Sequence, residues 1–151
     1  MKIPLLFHLL GSVIWVGGMF FAYLALRPAA AMMLEPPQRL PLWRETLRRF
    51  FLWVWISIIA LFVSGAHMLT TAFGFRAVPT YVVGMISIAT VMTVIFAYVY
   101  FHSFAALGRA VDAKDWRAGG AALNRIRQLV AINLVLGLAT VAVAVMGGLL
   151  G

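Results

Sequence analysis

The chain has 151 residues, 64% of them hydrophobic and 11% charged, with a net charge of +8 and no cysteine. Its mean hydropathy is +1.02, whereas soluble domains are roughly half apolar and about a quarter charged, so a soluble globular protein is excluded. The missing thiols exclude disulfides, thiolate metal sites and a cysteine nucleophile, and the positive charge reads as membrane topology rather than as a nucleic-acid footprint.

The first apolar segment, residues 3–26, carries no acidic or basic side chain. At ~1.5 Å per residue it is long enough to cross ~30 Å of hydrocarbon as a helix. It exceeds the ~7–15 apolar residues of a signal peptide, so it is read as a retained span despite the small residues Ala29, Ala30 and Ala31. Helical spacing places His8, Gly11, Ser12, Trp15, Gly18, Met19 and Ala22 on one face and Leu9, Val13, Phe20 and Leu24 on the other. A polar imidazole in hydrocarbon is costly and calls for a partner on another helix.

Three further spans follow at about 50–71, 79–104 and 128–150, and the whole chain, 1–151, reads as one four-span domain. The connection 27–49 holds Arg27, Arg39, Arg44, Arg48 and Arg49. The connection after the third span holds Arg109, Lys114, Arg117, Arg125 and Arg127. Ten of the twelve Lys and Arg residues thus fall on one side, opposed only by Lys2 and Arg76. The positive-inside rule puts these two connections in the cytoplasm and both termini on the periplasmic side. Pro28, Pro36, Pro37 and Pro41 are expected to break up the first connection, with a helical extension from Leu42 to Arg49. Residues 112–115 are expected to form a turn leading into the last helix.

Small or polar faces are expected to pack the helices together. On the second helix these are Ser57, Ala60, Ser64, His67 and Thr71. On the third they are Gly84, Ser87, Val91 and Tyr98, and on the fourth Asn133, Gly137, Thr140, Ala144 and Gly147.

Depth arithmetic sorts the histidines. His8 lies 18 residues, ~27 Å, from the inner end of its span, and His67 lies 17 residues, ~26 Å, from the inner start of its own. His102 lies 22 residues, ~33 Å, into the third span and belongs to the inner end. The pair His8 and His67 is therefore the candidate site, with Met68 beside His67 and Met85 at the same depth on the third helix. Imidazoles and thioethers suit Cu(I). The same two imidazoles also suit haem b, flanking its iron, with Trp15 walling the site and Arg76 meeting propionates. Met19, Met32, Met33 and His102 are the candidates for an inner exit point. No acidic residue lies within the four spans, and no phosphate loop or H-E-x-x-H motif is present. Catalysis by side chains alone is therefore not expected, and an enzyme reading would need bound haem.

His8, Trp15-Val16-Gly17-Gly18, Phe20 and Arg27-Pro28 resemble the opening helix of the copper resistance protein D (CopD) family of bacterial inner-membrane proteins. The resemblance implies a multi-pass protein of that membrane that handles copper through His8. It also implies a homo-oligomer or a periplasmic copper or redox partner, because larger members carry this domain behind additional spans. A more distant resemblance is to HemJ-type protoporphyrinogen oxidases, small four-span bundles with a first-helix histidine and haem b. Those look to use a lysine in the third span, and this chain has none between Lys2 and Lys114. A structural subunit without a ligand is the third expectation.

Overall fold

The computed structural model describes residues 2–74 and 76–150. Four long helices account for most of it: α1 (Lys2–Met33), α2 (Pro36–Phe73), α3 (Thr80–Asp112) and α4 (Trp116–Gly148). Each is long and apolar enough to cross a membrane, and no strand occurs among the described residues. The chain is a multi-pass membrane protein with an all-α fold.

The helices run well past their apolar cores, which corrects the expected connections. Instead of irregular segments around the prolines, only Leu34 and Glu35 separate α1 from α2. Pro36 and Pro37 occupy the first turn of α2, where the missing N–H would be unpaired in any helix. Pro41 lies inside α2. Pro28 is absorbed differently. The α1 backbone widens to a π-helix over Ala22–Leu26, and the N–H of Arg27 reaches back to the Ala22 carbonyl. That local widening relieves the clash of a proline ring with the carbonyl four residues earlier. A second π-helical stretch, Val99–Phe104, interrupts α3 without a proline.

The turn before α4 forms as the sequence suggests. Lys114 adopts a left-handed φ of 54°, and Asp115 Oδ1 accepts a hydrogen bond from the Ala118 N–H at 3.0 Å, capping α4.

Side-chain contacts set the register. Val16 of α1 and Met92 of α3 meet at Gly137 of α4, where an added Cβ would lie 2.8 Å from Val16 Cγ2 and 3.3 Å from Met92 Cε. Phe50 packs directly on Gly18. Around this level an aromatic cluster fills the bundle: the Phe96 ring stands edge-on to Trp15 at 6.3 Å, Phe51 at 5.2 Å and Trp55 at 5.0 Å. Such edge contacts contribute beyond simple area burial. Asn133 is 3% exposed, and its Nδ2 donates to the Met92 carbonyl at 3.0 Å, tying α4 to α3.

On α1 the expected inward face is observed: Gly11, Trp15, Met19 and Ala22 are buried, while Leu9, Val13, Phe20 and Leu24 are exposed. On α3 it is not. Ser87, Val91 and Tyr98 are exposed, and the buried stripe is Met92, Phe96, Val99 and Ser103. A helix apolar all round has no amphipathic signal, so large packing residues faced the core and small ones faced outward. The exposed hydroxyls of Ser87 and Thr90 bond to carbonyls one turn back, Val83 and Ile86, so they need no neighbouring helix.

A candidate metal site around His8

His8 sits two turns from the α1 terminus, half-buried against α2. Its Nδ1 lies 3.1 Å from Ser64 Oγ. The Ser64 hydroxyl donates its one proton to the Ala60 carbonyl, with the Leu61 carbonyl at 3.3 Å as a second acceptor. Its oxygen is therefore the acceptor toward the imidazole, and the network assigns the proton of neutral His8 to Nδ1. Nε2 then carries the lone pair. A ring fixed through one nitrogen with the other left basic is the arrangement of metal-ligating histidines.

Small residues make the approach possible. A Cβ on Gly65 would sit 3.4 Å from His8 Cε1 and 3.7 Å from Nδ1, ordinary contact, so this edge of the ring approaches the glycine. One turn deeper, α1 and α2 pack tightly at Gly11, where a Cβ would meet the Ser57 carbonyl at 3.1 Å. The side chain of Ser12 turns back to bond the His8 carbonyl at 3.0 Å.

The structure spreads the sequence-derived residues unequally around this imidazole. His8 is level with Ser64, three residues and ~4.5 Å along the axis from His67, so the depth arithmetic holds to about one turn. Leu61, Ser64, Gly65 and Met68 form the stripe of α2 that faces His8. Met68 is half-buried on it. His67 is exposed and leaves the helix roughly 60° around from Ser64, away from that stripe. Met85 is half-buried and lies two turns outward from buried Met92 on the same α3 stripe. From the Val16–Gly137–Met92 level, His8 is ~12 Å outward and Met85 ~10.5 Å outward. The two are thus nearly level on inward-facing stripes. Trp15 is buried two turns deeper, in the aromatic cluster. Arg76 is exposed in the α2–α3 loop.

Among the described residues, no group of three or more His, Cys, Asp or Glu side chains is placed to hold a metal. The inner residues considered with His8 do not assemble: Met19 is 2% exposed in the core, Met32 and Met33 are 84% and 78% exposed, and His102 stacks on Tyr98 at 5.1 Å on the surface. Sequence reasoning passed over Ser64 as the partner of His8. The signal was its place one turn before His67, within the precision of the depth estimate.

The matching family model is described as copper resistance protein D, CopD, and covers residues 44–146. The match takes in most of α2, all of α3 and most of α4, so it rests on helices other than α1, whose motif carries the resemblance. No curated protein and no solved structure matches the chain. With well over half of its residues matched, the chain belongs to the CopD family of copper resistance proteins.

Proposed function

We propose that this chain binds copper at the His8 end of the bundle and aids its transport or delivery across a bacterial inner membrane. His8 Nε2 is the anchoring ligand, and the thioethers of Met68 and Met85 complete a soft site suited to Cu(I). His67, exposed on the flank of α2 beside Met68, takes the metal at the rim and passes it inward. The whole chain, 1–151, acts as one four-span unit with both termini and Arg76 in the periplasm, since the charged connections favour the cytoplasm. The observation that carries the reading is the 3.1 Å hydrogen bond between His8 Nδ1 and Ser64 Oγ, which would leave Nε2 to a metal, within a chain whose family is associated with copper resistance.

Haem b is the competing occupant. Bis-imidazole ligation needs two rings facing one iron, and the exposed His67 lies off the stripe that faces His8. The residues present fit copper better than haem.

The test is metal analysis and an absorption spectrum of the purified protein, followed by Cu(I) titration against a chromogenic chelator. Stoichiometric copper without a Soret band is expected. His8→Ala should abolish tight binding, Met68→Leu or Met85→Leu should weaken it about tenfold or more, and His67→Ala should slow loading more than it weakens affinity. A Soret band lost in His8→Ala would transfer the site to haem. Full copper retention in His8→Ala would sink the reading, and a protein binding neither would be a structural subunit.

A further inference from the structure

At the end of the bundle away from His8, a cleft of about 530 Å³ opens between α1, the start of α2 and the start of α4. It has two tiers. Toward the membrane its walls are apolar, including Leu24, Phe50 and Val130. Toward the connections it is lined by Arg27, Arg39 and Arg127, with no acidic side chain among the lining residues. From Phe50 to Arg39 the cleft extends ~16 Å along α2. Arg27 directly follows the first apolar segment and Arg127 directly precedes the last, so both sit where hydrocarbon gives way to headgroups.

What sets these three apart is that they share one cleft with no carboxylate to neutralise them. Arg44 pairs with Asp112, and Arg48 and Arg49 pair with Glu45. Among the described residues, none of Arg27, Arg39 and Arg127 forms an ion pair. Glu35, four residues before Arg39, is exposed and pairs with none of them. Arg27 lies 4.9 Å over the Tyr23 ring, a second lining residue, which holds its guanidinium at the cleft. Arg127 is steadied by the Asn124 side chain. Three cations gathered without a carboxylate repel one another, and a bound anion relieves that repulsion.

We propose that this cleft is a binding site for an anionic phospholipid. Its phosphate is held by Arg27, Arg39 and Arg127, and an acyl chain runs down the apolar wall past Phe50 and Val130. Guanidinium forks match phosphate oxygens, and basic pockets between helices at the cytoplasmic side suit such headgroups. The apolar tier selects a lipid over a free anion.

Native mass spectrometry of the detergent-solubilised full chain tests this, titrating dioleoyl phosphatidylglycerol against dioleoyl phosphatidylcholine at fixed ionic strength. The wild type should prefer phosphatidylglycerol. Each of Arg27→Gln, Arg39→Gln and Arg127→Gln should weaken binding about fivefold, the triple variant about a hundredfold. A control triple, Arg109→Gln, Lys114→Gln and Arg117→Gln, removes the same charge outside the cleft and should change binding little. Gly120 lines the cleft, and a Cβ there meets nothing within 4 Å. Gly120→Trp should therefore fill the site and weaken binding with no change in charge. If the triple variant fails to fold, Arg127→Gln, at an exposed position, and Gly120→Trp decide the matter. Equal losses in both triples, or normal binding in Gly120→Trp, would reduce the effect to diffuse surface charge and overturn the proposal. Equal binding of phosphatidylcholine would overturn it too. Displacement by millimolar inorganic phosphate would show that the arginines hold a free anion instead.

Discussion

The two ends of this bundle are built on different terms. Toward the connections, residues from all four helices are buried, among them Ala30, Leu40, Leu47, Leu107 and Ile126, and Arg44 bridges α2 to α3 through Asp112 at 2.6 Å. Toward His8, none of the described residues is buried in 2–10 of α1, 65–73 of α2, 80–91 of α3 or 138–148 of α4. The helices pair there, α1 with α2 through His8 and Ser64, and α3 with α4 through Tyr81 on Gly147. The two pairs are joined chiefly by the aromatic level and everything inward of it. A bundle clamped at one end and lightly packed at the other can admit an ion at the loose end without breaking its core. In the copper reading proposed above, His8 and Met68 would come from one pair and Met85 from the other.

The largest effects should come from the clamp. Phe51 is 1% exposed and meets Phe50, Phe96, Tyr100 and Phe104. Phe51→Ala should cost about 3–5 kcal/mol of unfolding free energy in mixed micelles. Phe7→Ala, at a site 54% exposed to lipid, should stay within about 0.5 kcal/mol. Comparable losses at both positions would erase the contrast between the ends. Gly18→Ala probes the same level by overpacking, since an added Cβ collides with the Phe50 ring. A loss of about 1–3 kcal/mol is expected. Gly17→Ala, where a Cβ meets nothing within 4 Å, should be neutral. The Gly-Gly pair of the α1 motif therefore contains one packing glycine and one free position.

Sequence reasoning reached the two ends with unequal success, for physical reasons. Four spans, and the inward stripe of α1, follow from hydropathy and from a face that mixes small residues with one imidazole. The connections were misread because none of the four prolines interrupts a helix, Pro28 and Pro41 being carried inside α1 and α2. At the first turn of α2 proline starts a helix, and before Pro28 the π-helical stretch accommodates the ring. The stripe of α3 left no trace in hydropathy, because lipid and core are equally apolar partners. For the candidate site, depth from the 1.5 Å rise placed His8, His67 and Met85 within about one turn of the same level, with Met68 beside His67. It says nothing about direction around the axis, and that is where His67 parts from His8. The arginines read as topology marks alone, and their division into paired and unpaired sets needed side-chain positions.

Smaller effects belong to the charged extensions beyond the apolar core. Asp112→Asn removes the Arg44 bridge between α2 and α3, whose side chains are 38% and 68% exposed. A loss of about 0.2–1 kcal/mol is expected, shrinking at high salt. A larger, salt-insensitive loss would mean that Asp112 organises the loop rather than bridging the helices.

The smallest effect is local and depends on pH. Hydrogen bonds from Arg48 and Arg49 hold the Glu45 carboxyl down to about 2, from an ordinary 4.5. The folded helix therefore favours the ionised carboxylate. Its contribution is fully present above about pH 4.5 and is lost as pH falls through about 2. Because the three partners share one helical turn and face solvent, the change should appear as fraying of α2 near residues 42–49, not as global unfolding. Amide exchange in this segment should quicken on acidification after correction for intrinsic rates. Glu45→Gln should flatten that response, and salt should mimic the substitution. The amides around Phe51, inside the clamp, should keep their protection throughout. Parallel loosening at Phe51 would show that the extension and the clamp open as one unit.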